Sequence, residues 1–320
     1  MDYLLRVENL KKWFAQGRGF FSRQQDYLKA VNWVSFDIGR GETLGLVGES
    51  GSGKTTVARC ILRLVKAGAV YFEDVDLLTL DRRRLRKMRR DLQMIFQDPH
   101  SSLNPRMRIG ATLREPLVIH KIARRKEQVE RVADMLKAVN LDPGIVRRYP
   151  HEFSTGQRQR IAIARALILE PKLVIADEPV SALDVSTQVQ ILDLLVALRE
   201  KFRVTFLFIS HGLPIVERIA QRVAVMYLGK IVEMGTTDAV CRHPRHPYTQ
   251  SLVSAVPVPD PDAKRERILL KGALPSLVDY PTGCPFHTRC PVAIERCRHE
   301  EPKLITIEGQ RQVACHLVNG

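Results

Sequence analysis

The 320 residues predict an α/β protein built around a phosphate-binding loop, with a small cysteine-containing extension at its C-terminal end. Three observations carry this expectation. Residues 43–65, TLGLVGESGSGKTTVARCILRLV, pass from a short apolar strand through a glycine-rich turn into a helix with apolar residues at helical spacing. Two further apolar runs, KLVIADEP at 172–179 and VTFLFISH at 204–211, end in polar residues, as buried parallel strands do at their carboxyl edge. Finally, four of the six cysteines, Cys284, Cys290, Cys297 and Cys315, gather near the C-terminal end.

The composition sets the class. An apolar fraction of 45% and a charged fraction of 27% are those of a soluble globular protein, and no stretch reaches the eighteen or so apolar residues that span a bilayer. The start, MDYLLRVENLKKWF, lacks the ordered regions of a signal peptide, so a reducing cytosolic compartment is expected and structural disulfides are not. A net charge of +15 admits an anionic partner: nucleic acid, a lipid surface or nucleotide phosphates. The densest basic run, DRRRLRKMRR at 81–90, has Leu85 and Met88 three apart and reads as a solvated helix with a narrow buried stripe, with a docking patch as the alternative.

The loop residues Gly48, Glu49, Ser50, Gly51, Ser52, Gly53, Lys54, Thr55 and Thr56 form the candidate cradle. Glycines let backbone N–H groups wrap phosphates, Lys54 reaches the outer phosphates, and the Thr55 hydroxyl suits Mg²⁺. Asp177 is placed to hold the Mg²⁺ shell and Glu178 to act as general base on the attacking water; alone, the pair reads equally as a solvated strand end. His211 ends its strand either structurally or at the γ-phosphate. The run LQMIFQDPHSSLNPR, 92–106, breaks into a loop after Gln97, which binds Mg²⁺ or the water or simply caps that loop.

Taken in order, these segments resemble the nucleotide-binding subunit of an ATP-binding-cassette (ABC) transporter. GESGSGKT resembles its Walker A loop, LVIADEP its Walker B strand, SALD with Asp184 its D-loop, and ISH its histidine switch. The resemblance implies an ABC-type P-loop ATPase: a RecA-like core with an antiparallel β subdomain and a helical subdomain. It assigns residues 1–236 to that domain, with the helical part at about 100–165, and 237–320 to the extension. IARRKEQVERVADMLKAV, 122–139, supplies an amphipathic helix to the helical part, and the Pro-rich 243–302 reads as loop-dominated. Gln97 falls where such subunits meet the membrane protein, and Phe14, in LKKWFAQ, matches the aromatic that stacks on adenine. Trp13 next to it is the alternative, and core packing would explain either ring.

The match is closest to the oligopeptide, dipeptide and nickel importer group, through FQDPHSSLNPRM, DEPVSALDVS and HPRHPYTQSLVSAVP at 243–257. That group implies a [4Fe-4S] cluster on Cys284, Cys290, Cys297 and Cys315. Thiolate chemistry alone leaves Zn²⁺ and unliganded thiols open, with His287, His299 and His316 nearby as substitute ligands. Cys60 and Cys241 read as small buried or surface residues.

One departure stands out. The signature reads FSTGQRQR, with Thr155 where the family has its first glycine. Locally, Ser154 and Gln157 form an S-x-x-Q capping box, which makes Thr155 the first helical residue with an accessible negative φ. In the family, Ser154, Gly156 and Gln157 face the γ-phosphate held by an opposite subunit. Gly212 likewise replaces a common aspartate after the switch histidine.

The resemblance therefore implies ATP and Mg²⁺ as ligands and a second ABC ATPase subunit as partner, forming a heterodimer whose other member supplies an intact signature. Two transmembrane permease subunits and an extracellular or periplasmic solute-binding protein complete the complex, and the location is peripheral, on the cytoplasmic face of the inner membrane. A soluble ABC ATPase acting on nucleic acid is the alternative, encouraged by the basic balance; a metal or redox sensor is a third.

Overall fold

The computed structural model describes residues 3–16, 26–65, 68–256, 268–270 and 272–318. Pro257, the end of the tail segment 243–257, lies outside them, as do 17–25 and 66–67 of the expected ATPase domain and 258–267 of the extension.

In chain order come β1 (Tyr3–Ala15), β2 (Tyr27–Gly39), β3 (Thr43–Val47), α1 (Lys54–Ile61), β4 (Ala69–Phe72), β5 (Val75–Asp76) and α2 (Arg82–Met88). Next are β6 (Leu92–Ile95), α3 (Pro99–Ser102), α4 (Ile109–Ile119), α5 (Arg125–Ala138), α6 (Thr155–Leu167), β7 (Leu173–Asp177), α7 (Val185–Phe202) and β8 (Thr205–Ser210). The chain continues through α8 (Leu213–Ile219), β9 (Arg222–Tyr227), β10 (Lys230–Thr236), α9 (Thr237–Arg242), α10 (Pro247–Ser254), α11 (Arg296–His299), β11 (Ile305–Thr306) and β12 (Gln312–Val313). Among the described residues, no helix is long and apolar enough to cross a membrane.

The chain forms two compact units. The first comprises Met1–Leu4, Ile38–Thr43 and Thr79–Ile209. Its β6, β7 and β8 pair in parallel, Leu92 opposite Leu173 and Leu173 opposite Thr205. Every residue of β7 is buried, which is why the segment reads as an unbroken apolar run up to Asp177. On α5 the buried positions are Gln128, Val132, Met135 and Leu136, a single stripe at helical spacing. The basic run forms α2, started by Asp81, whose carboxylate accepts from the Arg84 N–H at 2.7 Å. Leu85 and Met88 are only half-buried there, so this helix presents a solvated face with a shallow apolar contact. Sequence reading placed a loop directly after Gln97; the structure has the short α3, because Asp98 caps it by accepting from His100 and Ser101 N–H groups.

The second unit comprises Leu5–Asp37, Leu44–Leu78 and Ser210–Gly320. In it β3 pairs in parallel with β9, and β9, β10, β12 and β11 continue as antiparallel neighbours. A four-stranded sheet follows the order β2-β1-β4-β5. The segment after β10 holds α9 and α10 and returns at β12, where Glu233 lies opposite Val313. Glu233 is fully buried, at 0% exposure, and its carboxylate is satisfied by three separate C-terminal donors. It accepts from the Arg245 and His246 N–H groups at 3.0 Å each and from Arg311 Nε at 3.0 Å. A buried carboxylate is tolerated only when paired and hydrogen-bonded in this way, so the C-terminal residues are tied to β10 by its charge.

Replacing Arg311 by Ala leaves that charge without its counter-ion. Arg311→Ala is expected to lower unfolding stability by about 3–5 kcal/mol, read from urea denaturation of the full chain.

Candidate functional site

The phosphate loop lies in the second unit, between β3 and α1. Gly53, just before the helix, has φ +103°, a region side-chain-bearing residues rarely adopt, and a Cβ there would sit 2.1 Å from the Ala30 carbonyl oxygen. Glycine is therefore required by both backbone and space. The turn makes Lys54 the first helical residue and leaves the N–H groups of α1's first turn without intrahelical acceptors, the usual anchor for an anion. Lys54 is buried at 4% exposure, and its ammonium donates to the Gly48 and Glu49 carbonyls at 2.7 and 2.9 Å. Ser52 is fully buried, donating its N–H to the Glu49 carbonyl and accepting from the Gly229 N–H. Thr55 and Thr56 are half-buried, while Ser50 and Gly51 are exposed.

The first unit holds the carboxylates. Asp177 ends β7 at 3% exposure, and Glu178 follows half-buried. Glu178 has φ +47°, a left-handed conformation that costs a non-glycine residue of order 1–3 kcal/mol. Surrounding bonds hold it there: its N–H donates to the Ile209 carbonyl at 3.0 Å, and its own carbonyl accepts from the Ser181 N–H and hydroxyl. Its carboxylate accepts from Gln97 Nε2 at 2.9 Å. Sequence reading gave Gln97 to Mg²⁺, to the water or to a cap; the bond to Glu178 was not foreseen, and its partners stand 81 positions apart. That amide donor holds one carboxylate oxygen of Glu178 beside Gln97.

The signature helix α6 starts as the capping box demanded. Ser154 Oγ accepts from the Gln157 N–H at 3.3 Å, and Gln157 Oε1 accepts from the Ser154 N–H at 3.1 Å. Thr155 is the first helical residue and is not among the positive-φ positions, so it carries no left-handed strain. Ser154 and Gln157 are exposed. A Cβ on Gly156 would meet Thr187 Cγ2 at 2.7 Å, so that glycine is set by the close approach of α7. Asp184 caps α7, accepting from the Thr187 N–H and from the Ser186 and Thr187 hydroxyls, which holds its carboxyl well below the usual carboxylate range. His211 is exposed just beyond β8. Phe14 is 39% exposed near the end of β1 with Lys12 Nζ 4.9 Å from its ring centre, whereas Trp13 is covered by Lys11 Nζ at 3.7 Å and lies 6.3 Å from Tyr27. Of the two rings, Phe14 is the more open to a stacking partner.

The expected [4Fe-4S] cluster, and zinc in its place, are corrected by the cysteine geometry. Cys284, Cys290, Cys297 and Cys315 are all free thiols, and among the described residues no group of three or more His, Cys, Asp or Glu side chains is arranged to hold a metal ion. Burial, reinforced by the neighbouring thiols, pushes Cys284 up to about 12 and raises Cys290 and Cys315, so these thiols are protonated as the chain stands. Of the nearby histidines, His287 Nδ1 bonds the Cys284 carbonyl, His316 Nε2 the Glu300 carbonyl, and His299 Nε2 the Glu295 carboxylate. Spacing brought the cysteines into one region without converging their sulfurs into a ligand set.

Two contacts on the phosphate loop had no sequence signal. The Glu49 N–H donates to the Tyr248 hydroxyl at 2.9 Å, and Glu49 Oε2 accepts from Arg289 Nη1 at 2.9 Å, across separations of 199 and 240 residues.

A phosphate loop, a strand-end Asp-Glu pair and a capped signature helix define a P-loop ATPase. Residues 31–181 match the family model for ABC transporters, and residues 232–297 match that for the oligopeptide/dipeptide transporter C-terminal region. The chain is 49% identical over 318 residues to the probable peptide ABC transporter ATP-binding protein y4tS of Sinorhizobium fredii, covering 99% of this chain and 90% of that one. It is 49% identical over 321 residues to the oligopeptide transport ATP-binding protein AppF of Bacillus subtilis, covering 99% and 98%. Among solved structures it is similar to the dimeric post-hydrolysis state of the ATP-binding cassette MJ0796 bound to ADP and Pi, with TM-score 0.64, 29% identity, and coverage of 73% of this chain and 98% of that one. This chain belongs to the ABC transporter ATP-binding proteins, in the branch that carries the oligopeptide/dipeptide transporter C-terminal region, and it is an ATPase.

Buried thiols this hard to ionise resist alkylation. Burial pushes Cys60 up to about 11 and Cys241 and Cys284 up to about 12, so at pH 8 only about one thiol in a thousand or fewer is ionised at these sites. Iodoacetamide at pH 8 is expected to leave these three unmodified in the folded chain and to label all six cysteines after unfolding, as read by peptide mass spectrometry.

Proposed function

We propose that this chain hydrolyses ATP to power peptide uptake, as one of two cassettes that close on nucleotide and drive a pair of transmembrane permease subunits. The hydrogen bond from Gln97 to the strained Glu178 carries this reading, since it poises a carboxylate as general base and lies on the residue expected to meet the membrane partner. The names of y4tS and AppF, with near-complete coverage of the chain, support peptides as cargo and weigh against the nucleic-acid alternative. In this reading residues 1–236 are the ATPase domain and 237–320 the extension, a solute-binding protein outside the membrane delivers the cargo, and the chain sits on the cytoplasmic face.

The residues divide the work by charge. The ammonium of Lys54 takes the outer phosphates, with the N–H groups of Gly51, Gly53, Thr55 and Thr56 around them, and Phe14 stacks on adenine. Mg²⁺, when bound, neutralises phosphate charge; the Thr55 hydroxyl, the Asp177 carboxylate and the Gln97 amide oxygen are the hard oxygen donors that suit it. Glu178 accepts the proton of the attacking water, and His211 contacts the γ-phosphate. Ser154, Gly156 and Gln157, at the start of α6, meet the γ-phosphate held by the partner cassette, and Asp184 lies in the segment facing that partner. ATP shifts the open–closed equilibrium only through contacts that closure creates, which is why the signature end matters.

Thr155 places a side chain beside that anion site. One lost donor to a transition-state anion costs about 2.7–4 kcal/mol, a hundredfold or more in rate, so a heterodimer in which the partner keeps an intact signature follows. Thr155→Gly is expected to raise ATPase turnover in the assembled transporter; unchanged turnover would remove the argument for a weakened site. Glu178→Gln should lower turnover by roughly 10²–10⁴-fold while Mg-ATP binding, measured by calorimetry, is retained. Wild-type turnover in that variant, or failure of peptide to stimulate ATPase in vesicles holding the permeases, would refute the proposal.

A further inference from the structure

The C-terminal region reaches the phosphate loop at Glu49, the one acidic residue in Gly48–Thr55. A carboxylate in that position opposes any phosphate ligand by simple charge repulsion. Two side chains from distant segments restrain it. Arg289 Nη1 donates to Glu49 Oε2 at 2.9 Å, with the arginine side chain only 10% exposed and the glutamate 29%. Tyr248, fully buried on α10, accepts the Glu49 N–H at its hydroxyl. That N–H is thus committed to tyrosine and turned away from the ligand side of the loop.

The restraint is itself held rigidly. Phe286 packs edge-on against Tyr227 at 5.2 Å and lies 5.4 Å from Tyr248, forming an aromatic block next to the loop. Arg289 donates its N–H to the Phe286 carbonyl at 3.0 Å, and its guanidinium lies 5.9 Å from the Tyr227 ring centre. Tyr248 follows His246, whose Nδ1 accepts the Tyr248 N–H and whose own N–H is on buried Glu233.

We propose that Arg289 and Tyr248 are positioning residues for the nucleotide site: acting through Glu49, they neutralise and turn aside the loop's single carboxylate, so that the C-terminal region sets nucleotide affinity. The proposal rests on the nucleotide reading above. Its signature is that the penalty for losing Arg289 belongs to the Glu49 charge and disappears with it. A role confined to holding the fold would instead persist when that charge is removed.

The test is calorimetric titration of the full chain with Mg-ATP, comparing wild type, Arg289→Gln and the double variant Glu49→Gln/Arg289→Gln, with thermal unfolding recorded for each. Arg289→Gln removes the guanidinium and its charge but also shortens a nearly buried side chain, so the double variant and the unfolding curves separate lost charge from lost packing. It should weaken binding about tenfold, the effect of one uncompensated charge acting over about 10 Å at an effective dielectric near 20. The double variant should regain most of that loss. Tyr248→Phe, which frees the Glu49 N–H, should weaken binding by about threefold or more, the size of one neutral hydrogen bond. Wild-type affinity in Arg289→Gln, or a double variant no tighter than Arg289→Gln, overturns the proposal. Absence of ATP binding by the wild-type chain would instead strike the nucleotide reading itself, and this one with it.

Discussion

The structure depends on one constraint at the end of β3: the backbone must turn into α1 with its N–H groups facing a common point and no side chain in the way. Gly53 meets it with a left-handed φ and with a hydrogen where a Cβ would strike the Ala30 carbonyl. From that turn follow the position of Lys54, the orphan donors of the first helical turn, and the carbonyls of Gly48 and Glu49 that collect the ammonium. Carbonyls gathered round a buried ammonium also keep it desolvated at little cost, because each lost water is replaced by a protein acceptor.

The two carboxylates express a different constraint. Asp177 continues the strand geometry of β7, whereas Glu178 breaks it by entering the left-handed region. Strain of that kind persists only where neighbours over-determine the conformation, and here the Ile209 carbonyl, the Ser181 donors and Gln97 do so. The helix start at Ser154 shows the opposite economy: a threonine replaces glycine at Thr155 without backbone strain, so whatever the substitution changes acts through its side chain.

Legibility in the sequence followed the range of the interactions. The strands around 43–47, 173–177 and 205–210 were readable because buried parallel strands are apolar on both faces, and the one at 92–95 because its run is β-rich. The capping box of α6 was readable because both of its partners lie three residues apart. By contrast, α3 was missed because the Asn and Pro signals around it outweighed the cap at Asp98. The Gln97–Glu178 bond and the Arg289 and Tyr248 contacts on Glu49 join residues far apart in the chain, and no local pattern encodes them. The cysteines misled for a related reason: spacing along a chain says which thiols are near, while ligation depends on where their sulfurs point, and among the described residues they form no ligand set.

The pairing of β12 with β10 has a consequence for how the molecule is made. The unit that contains the phosphate loop draws on Leu5–Asp37, Leu44–Leu78 and Ser210–Gly320, and β12 is the last of its described strands to leave the ribosome. Pairings of such sequence separation form slowly, since a long loop must close before any contact repays it. The other unit, drawn mainly from Thr79–Ile209, has its full sequence earlier. Synthesis therefore completes Asp177 and Glu178 well before the unit that carries the phosphate loop can close the pairing of β12 with β10.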